Sequence, residues 1–426
     1  MHEVTTDVLV VGAGPAGVAA ACAAAERGRA VIVLDDNAVP GGQIWRQGKA
    51  PTPAPAARPW VERLRRSGAE VHGGSSVVDS AGAHVLYVQR GDSPVRYRAA
   101  ATILATGARE LLLPFPGWTL PGVFGAGGLQ ALAKGGWPIA EQRIVVAGSG
   151  PLLLAVADYL TQAGARVVAL VEQAARGAMA GVVPALLRQP AKLRQAGGFA
   201  WRLRGVRQLH GHWPVRAEGA DSVEALVVTN GTRERRLECD LVACGFGLVP
   251  ETMLAALLGA TIRDGRVAVG DDQQTSVAGL YAVGELTGVG GVDVALMEGL
   301  VAGSIAAGDT AAAGRYAARR DREGAFAGRM TAAFALRPEV AALAAADTIV
   351  CRCEDVPWGA VRGYSDARDA KLKTRCGMGP CQGRVCGPAL RLMKGWSHDR
   401  VRPPLFPIPT AALAQIGAAQ TTEAQR

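Results

Sequence analysis

Short apolar runs that break at glycine-rich turns, alternating with Ala-rich stretches, set the pattern of roughly the first 310 residues. Asp7-Val8-Leu9-Val10-Val11 leads into Gly12-Ala13-Gly14-Pro15-Ala16-Gly17, then an Ala-rich stretch to Arg27 and the run Ala30-Val31-Ile32-Val33-Leu34-Asp35. This predicts strand, glycine turn, helix, strand. The plan recurs from Arg143 to Ala147, through Gly148-Ser149-Gly150-Pro151-Leu152-Leu153, a helix to about Ala163 and a strand from Arg166 to Val171 closed by Glu172. Alternation around Val85 to Arg98 predicts a small antiparallel hairpin layer, and Ile103-Leu104-Ala105-Thr106-Gly107 a buried strand ending in a turn. Gly279-Leu280-Tyr281-Ala282-Val283-Gly284-Glu285 is again strand into glycine turn, followed by a helix from about Val294 to Ala307. The Pro/Ala-rich patch from Pro51 to Pro59 reads as a loop. An Ala/Arg-rich connector from about Gly308 to Ala346 is helical by propensity. A cysteine-rich module follows, and a tail with Arg402-Pro403-Pro404 and Pro407 is expected to be extended.

The period of these elements places the chain in the α/β class with two Rossmann-like units. A length of 426 residues with 49% apolar composition supports two or three packed domains. The net charge of +9 does not alter this, because the arginines are scattered. Runs such as Arg63, Arg65, Arg66 and Arg233, Arg235, Arg236 read as solvated faces, so no nucleic-acid partner is expected. The acids Glu3 and Asp7 precede the first apolar run, the reverse of a secretory signal. The uncharged run from Val8 to Ala25 is long, but its glycines follow a nucleotide-loop pattern. No transmembrane segment is therefore expected, and the location expected is the cytoplasm.

The first loop needs glycine for physical reasons. Gly12 permits the tight turn, Gly14 lets the backbone approach a pyrophosphate, and Gly17 lets the helix pack on the strand. With Pro15 and Ala16 they open a helix whose unpaired N–H groups and positive dipole end suit phosphates. Asp35 ends the second strand where a carboxylate should grip an adenosine ribose, with Asp36 as the fallback. In the second loop Gly148 and Gly150 make the same turn, but Leu153 stands at the third glycine position and is expected to crowd the helix against the strand. Glu172 would favour NAD over NADP there. The second unit is thus read either as an NAD site or as a vestigial scaffold.

Of eight cysteines, Cys22, Cys239 and Cys244 lie alone in apolar surroundings and read as core residues. Cys351, Cys353, Cys376, Cys381 and Cys386 crowd into 36 residues. In a reducing compartment such a group reads as metal binding, and spacing alone leaves structural zinc and [2Fe–2S] equally open. No Cys-x-x-Cys dithiol occurs, which disfavours disulfide-reductase chemistry. No catalytic histidine pair, Ser-His-Asp set or carboxylate pair stands out, so the catalytic residues stay unassigned.

Ala105-Thr106-Gly107, Gly284-Glu285 and Gly41-Gly42-Gln43 resemble the flavin-contacting segments of the two-dinucleotide-domain flavoproteins, which include thioredoxin and glutathione reductases. That resemblance implies FAD on the first loop, with Glu285, in place of the commoner Asp, holding the ribityl chain. The words around the cysteines resemble the bacterioferritin-associated-ferredoxin type of [2Fe–2S] domain, which implies Cys351, Cys353, Cys381 and Cys386 as ligands and Cys376 as spare. Pro40 to Arg46, Ala105 to Glu110, Pro114 to Val123 and the Cys381 segment resemble the larger, electron-handling subunit of the opine oxidase, hydroxyproline dehydrogenase and hydrogen cyanide synthase group.

What the resemblance implies is an FAD domain (1–140 and 269–310) interrupted by an NAD(P)-type domain (141–268). A connector (311–346), a small helical [2Fe–2S] domain (347–400) and an extended tail (401–426) follow. It further implies a flavin and iron–sulfur electron-transfer subunit of a hetero-oligomeric amino-acid or opine dehydrogenase. The partner would be a second FAD-containing subunit of the amino-acid oxidase type, with an FMN at a subunit interface as a further option and the electron acceptor left open. The competing expectations are a self-sufficient NAD(P)H-dependent FAD oxidoreductase reducing an external acceptor, and a redox-sensing or assembly protein.

Overall fold

The computed structural model describes residues 1–46, 54–396 and 401–424. Part of the expected 51–59 loop and the end of the expected 347–400 module lie outside the described residues. The chain divides into two compact units, one of Met1–Arg109, Pro250–Ala327 and Asp399–Arg426, the other of Glu110–Val249 and Gly328–His398.

In the first unit, β1 (His2–Val11), β2 (Val31–Leu34), β3 (Glu70–His72), β4 (Ser75–Ser80), β5 (Val85–Arg90) and β6 (Ser93–Leu104) lie in the order β3-β2-β1-β6-β5-β4. The strand Leu280–Ala282 pairs in parallel with β6. Val10 faces Val33 on one side and Ile103 on the other, both in parallel register. Val8, Leu9 and Val10 are fully buried, as a strand covered on both faces must be. The hairpin layer expected near Val85 to Arg98 is present as the antiparallel pair of β5 and β6.

Two helices lie over this sheet early in the chain. α1 (Pro15–Ala25) is buried almost along its length, and α2 (Arg58–Ser67) buries Val61 and Leu64. The later helix Val292–Ala306 packs so tightly on α1 that a Cβ on Gly299 would lie 2.2 Å from the Ala16 carbonyl oxygen, and one on Gly303 2.2 Å from that of Ala20. Only glycine allows that approach. The tail is not extended throughout. After the last proline, Pro409, a helix forms over Thr410–Ala424, because the sequence there is rich in Ala and Gln. Its Ile416 packs with Val78 and Tyr87.

The second unit has a five-stranded parallel sheet in the order Arg207–His210, Arg166–Glu172, Arg143–Gly148, Leu241–Gly245, Val123–Gly125. Helices α3 (Ala126–Lys134) and α4 (Leu152–Gln162) pack on it. A three-stranded antiparallel sheet of Trp213–Glu218, Ala225–Thr229 and Glu234–Glu238 completes it.

The expected boundaries at 140/141 and 268/269 differ from this division for specific reasons. Val123–Gly125 adds as an edge strand to Leu241–Gly245, so its segment joins the second unit. Leu254, Ala255 and Val267 share a core with Leu9 and Leu34, so theirs joins the first. The cysteine module is not a separate body either. Ala389 belongs to the same core as Val145 and Trp213, and the Trp118 indole N–H donates to the Ile349 carbonyl at 2.6 Å. The connector is helical over Thr310–Ala333 and Pro338–Ala341.

Candidate cofactor and metal sites

The first glycine loop is shaped by contacts that exclude side chains. A Cβ on Gly12 would stand 2.3 Å from the Ala105 carbonyl oxygen, and one on Gly17 1.8 Å from that of Gly12. Gly14 differs: nothing but the Gly42 Cα, at 3.9 Å, would meet its Cβ, so the space beside it is open. Gly14 caps α1 with no side chain on the first-turn N–H groups and no acid in that turn, which leaves them available to an anion. Pro15 occupies the first helical position, where its missing N–H costs nothing, and Ala16 is buried.

Asp35 is buried at the end of β2 and accepts from the Ala13 N–H at 2.5 Å and the Asn37 N–H at 2.8 Å. Its neighbour Asp36 is exposed. Gly42, at φ +56, sits against Gly14, and the Gln43 side-chain oxygen accepts from the Arg46 guanidinium at 2.7 Å. Burial leaves the Arg46 Nε without a hydrogen-bond partner.

The other two expected flavin segments converge on this unit. Ala105 continues the β1 ladder through its N–H to the Val11 carbonyl, the Thr106 hydroxyl donates to the Glu251 carbonyl at 2.8 Å, and Gly107 turns at φ +72. Gly284, at φ +76, stands where a Cβ would come within 2.8 Å of the Ala16 Cβ. Glu285 accepts from the Gly291 N–H at 2.9 Å through Oε1, while its Oε2 is buried with no partner. A buried acceptor left open is costly and points to an absent donor. A ribityl hydroxyl fits it, and the open space at Gly14 fits a pyrophosphate, so the residues present fit FAD. Burial pushes the Glu285 carboxyl up.

Sequence reasoning missed Glu298. It lies in the apolar helix Val292–Ala306, 9% exposed, and accepts from the Gly284 N–H at 2.6 Å and the Thr287 hydroxyl at 2.9 Å. Burial pushes its carboxyl up to about 7. The signal was available as a single acid in the apolar interior of that helix, beyond Asp293 in its first turn.

The second loop has the same backbone but a different neighbourhood. Gly148, at φ +140, fits against Gly245, where a Cβ would lie 1.9 Å from the carbonyl oxygen. Leu153 does not crowd the strand as expected. It is 1% exposed in the core, because Gly245 leaves room for it on the adjacent strand. Both Glu172 oxygens are taken by the chain's own backbone, from the Gly150 and Ala174 N–H groups at 2.8 Å each, and burial pushes the carboxyl up to about 7.

The segment 334–337 lies against this loop. The Ser149 hydroxyl donates to the Phe334 carbonyl at 2.8 Å, and the fully buried Gln173 amide donates to the Ala335 carbonyl at 3.0 Å and accepts from the Arg337 N–H at 3.1 Å. Neither Ser149, Gln173 nor this segment was singled out from sequence.

The five cysteines sort into two groups. The sulfurs of Cys351, Cys376 and Cys386 all lie within 4.8 Å of one another and are buried. Cys353 is exposed and Cys381 half-buried, and the two thiols lie close enough to influence each other's ionisation. The strand Ile349–Cys351 and the helix Cys386–Lys394 deliver two of the inner cysteines, and the Gly377 N–H donates to the Cys351 sulfur at 3.4 Å. Burial acts to raise the Cys381 thiol, but the neighbouring N–H groups of Val385, Gly383 and Arg384 and the Cys353 thiol together hold it below its ordinary value. The buried trio could hold a metal. Cys376 thus stands beside Cys351 and Cys386, two of the ligands that the resemblance implies.

Residues 6–299 match the family model described as pyridine nucleotide-disulphide oxidoreductase. The chain is 34% identical to one of the opine oxidase subunits of Rhizobium meliloti, over 96% of this chain and 98% of that protein. It is 33% identical to hydrogen cyanide synthase subunit HcnB of Pseudomonas aeruginosa, again over 96% and 98%. Its fold is similar to that of L-proline dehydrogenase from P. horikoshii, with a TM-score of 0.67 at 20% identity over 97% of this chain and 80% of that one. Among the described residues, no helix is long and apolar enough to cross a membrane.

Proposed function

The chain belongs to the pyridine nucleotide-disulphide oxidoreductase family, and from that premise we propose that it is the flavin and iron–sulfur electron-transfer subunit of a hetero-oligomeric amino-acid or opine dehydrogenase. The observation that carries this reading is that one chain holds both an FAD cradle and a five-cysteine nest. Similarity over nearly the whole length to proteins named as subunits of opine oxidase and hydrogen cyanide synthase supports a partnered role. The partner would be a second FAD-containing subunit of the amino-acid oxidase type, with an FMN at a subunit interface as a further option.

FAD supplies two-electron acceptance, and a [2Fe–2S] cluster supplies one-electron relay, when they are bound. Gly14 keeps the pyrophosphate's place clear, and the first turn of α1 offers N–H donors there. Asp35, buried at the end of β2, and Asp36 beside it would meet the ribose, and Glu285 Oε2 offers an acceptor to the ribityl chain. Glu298 holds the Gly284 turn in shape through its two bonds. Cys351, Cys353, Cys381 and Cys386 would ligate the cluster, with Cys376 as spare.

A second reading, an NAD(P)H-dependent FAD oxidoreductase acting alone, draws on Gly148, Gly150 and Glu172. The bonds from Ser149 and Gln173 to 334–337 favour the first reading, since they occupy the polar groups beside that loop. An anaerobic titration separates the two. The expected result is a flavin absorbance that NADH leaves unchanged, and that proline, hydroxyproline, sarcosine, glycine or an opine bleaches only when the partner subunit is present. Bleaching by NADH alone would favour the second reading. Substrate turnover by the isolated chain at about 1 per second or faster would overturn the division of labour.

A further inference from the structure

Resting on the reading that this chain carries an iron–sulfur cluster, we propose that Cys376 is a reserve ligand that can take the place of Cys351 or Cys386, but not of Cys353 or Cys381. Two thiolates on one tetrahedral metal, with metal–sulfur bonds of about 2.3 Å, stand about 3.8 Å apart. The sulfurs of Cys351, Cys376 and Cys386 already lie within 4.8 Å of one another, so any two of the three can share one iron after a small side-chain shift. Cys353 and Cys381 fall outside that group and couple to each other, which assigns the second iron to that outer pair.

The backbone holds Cys376 at this distance. Arg375 ends the helix Ala367–Thr374 in the left-handed conformation at φ 66, and the Cys376 N–H donates to the Thr374 hydroxyl at 3.2 Å. Cys376 is 5% exposed within the same small core as Cys351, Cys386 and Trp396. When the side chain at 351 or 386 is removed, the Cys376 thiol gives its proton to solvent and its thiolate fills the open position on iron. One thiolate replaces another, so the charge and electron count of the site are unchanged. Separate alanine replacements of the four expected ligands are therefore not equivalent.

The test is iron and acid-labile sulfide content, with the electron paramagnetic resonance spectrum of the reduced protein, on the full chain. Flavin content serves as the check on folding. Wild type and Cys376→Ala should each hold about two iron and two sulfide atoms. Cys351→Ala and Cys386→Ala should retain iron and sulfide with shifted g-values, while Cys353→Ala and Cys381→Ala lose them. Adding Cys376→Ala to either retained variant should remove the cluster. The proposal is overturned if Cys351→Ala and Cys386→Ala, with flavin intact, lose iron as fully as Cys381→Ala. It is equally overturned if the Cys376→Ala/Cys386→Ala double variant keeps the cluster. A wild-type chain without iron would instead overturn the cluster reading on which it rests.

Discussion

Single residues divide into those that shape a site and those that merely permit it. Gly14 and Gly17 look equivalent in the motif, yet a side chain at Gly14 meets open space while one at Gly17 meets a carbonyl oxygen at 1.8 Å. Gly14→Val should therefore fold and lose its flavin, whereas Gly17→Val should not yield soluble protein. Flavin release on denaturation, measured beside the melting temperature, checks both. Glu298 makes a pH prediction. Its carboxyl titrates near about 7 in the folded chain, against about 4.5 in an unfolded one. Between these values the folded state keeps a proton that the unfolded state has released, so stability falls as pH rises from about 4.5 to about 7. A displacement of that size corresponds to about 3 kcal/mol. Glu298→Gln keeps an acceptor for the Gly284 N–H and removes the titration. Melting temperatures of the two proteins should thus move in the variant's favour between pH 5 and pH 8, and parallel profiles would refute the assignment.

Among the elements, packing of the helix Val292–Ala306 on α1 was not legible in the sequence. Gly299 and Gly303 fall four apart, but only the partner helix's Ala16 and Ala20 carbonyls explain why they are glycine. The strands and glycine turns were legible, because their period and their glycines are local properties. The segment 334–337 was not, since nothing in its own composition says that Ser149 and Gln173 will bind it. Gln173→Ala takes a donor from the Ala335 carbonyl and an acceptor from the Arg337 N–H. The expected cost is about 1–3 kcal/mol, with faster amide exchange confined to the neighbourhood of residues 334–337. Unchanged exchange there would show that the bonds do not hold the segment.

At the scale of the whole molecule, the flavin cradle and the cysteine nest belong to different compact units. Their cofactors should load independently. Gly14→Val is expected to keep its iron, and Cys381→Ala its FAD, as metal and flavin analysis of each would show. Loss of both groups in either variant would mean that the units fold as one. The cysteines lie in a small core of their own, but Ala389, on the helix that carries Cys386, packs in the core of the second nucleotide-fold domain, and the bond from Trp118 to Ile349 adds a second tie. That tie gives the motif around Trp118 a structural meaning which its sequence does not declare.

The sequence by itself determined the α/β class, the two glycine loops, the acids that end their second strands and the cysteine content of the C-terminal module, because each depends on neighbours a few residues away. Family resemblance added the flavin segments at Ala105 and Glu285. Tertiary structure alone decided that Pro250–Val267 joins the first unit, that Gly245 makes room for Leu153 and that Glu298 supports Gly284. It also decided that Cys376 stands with Cys351 and Cys386. Each of those outcomes depends on which distant segments meet, and that is set by close packing across the whole fold rather than by any local preference.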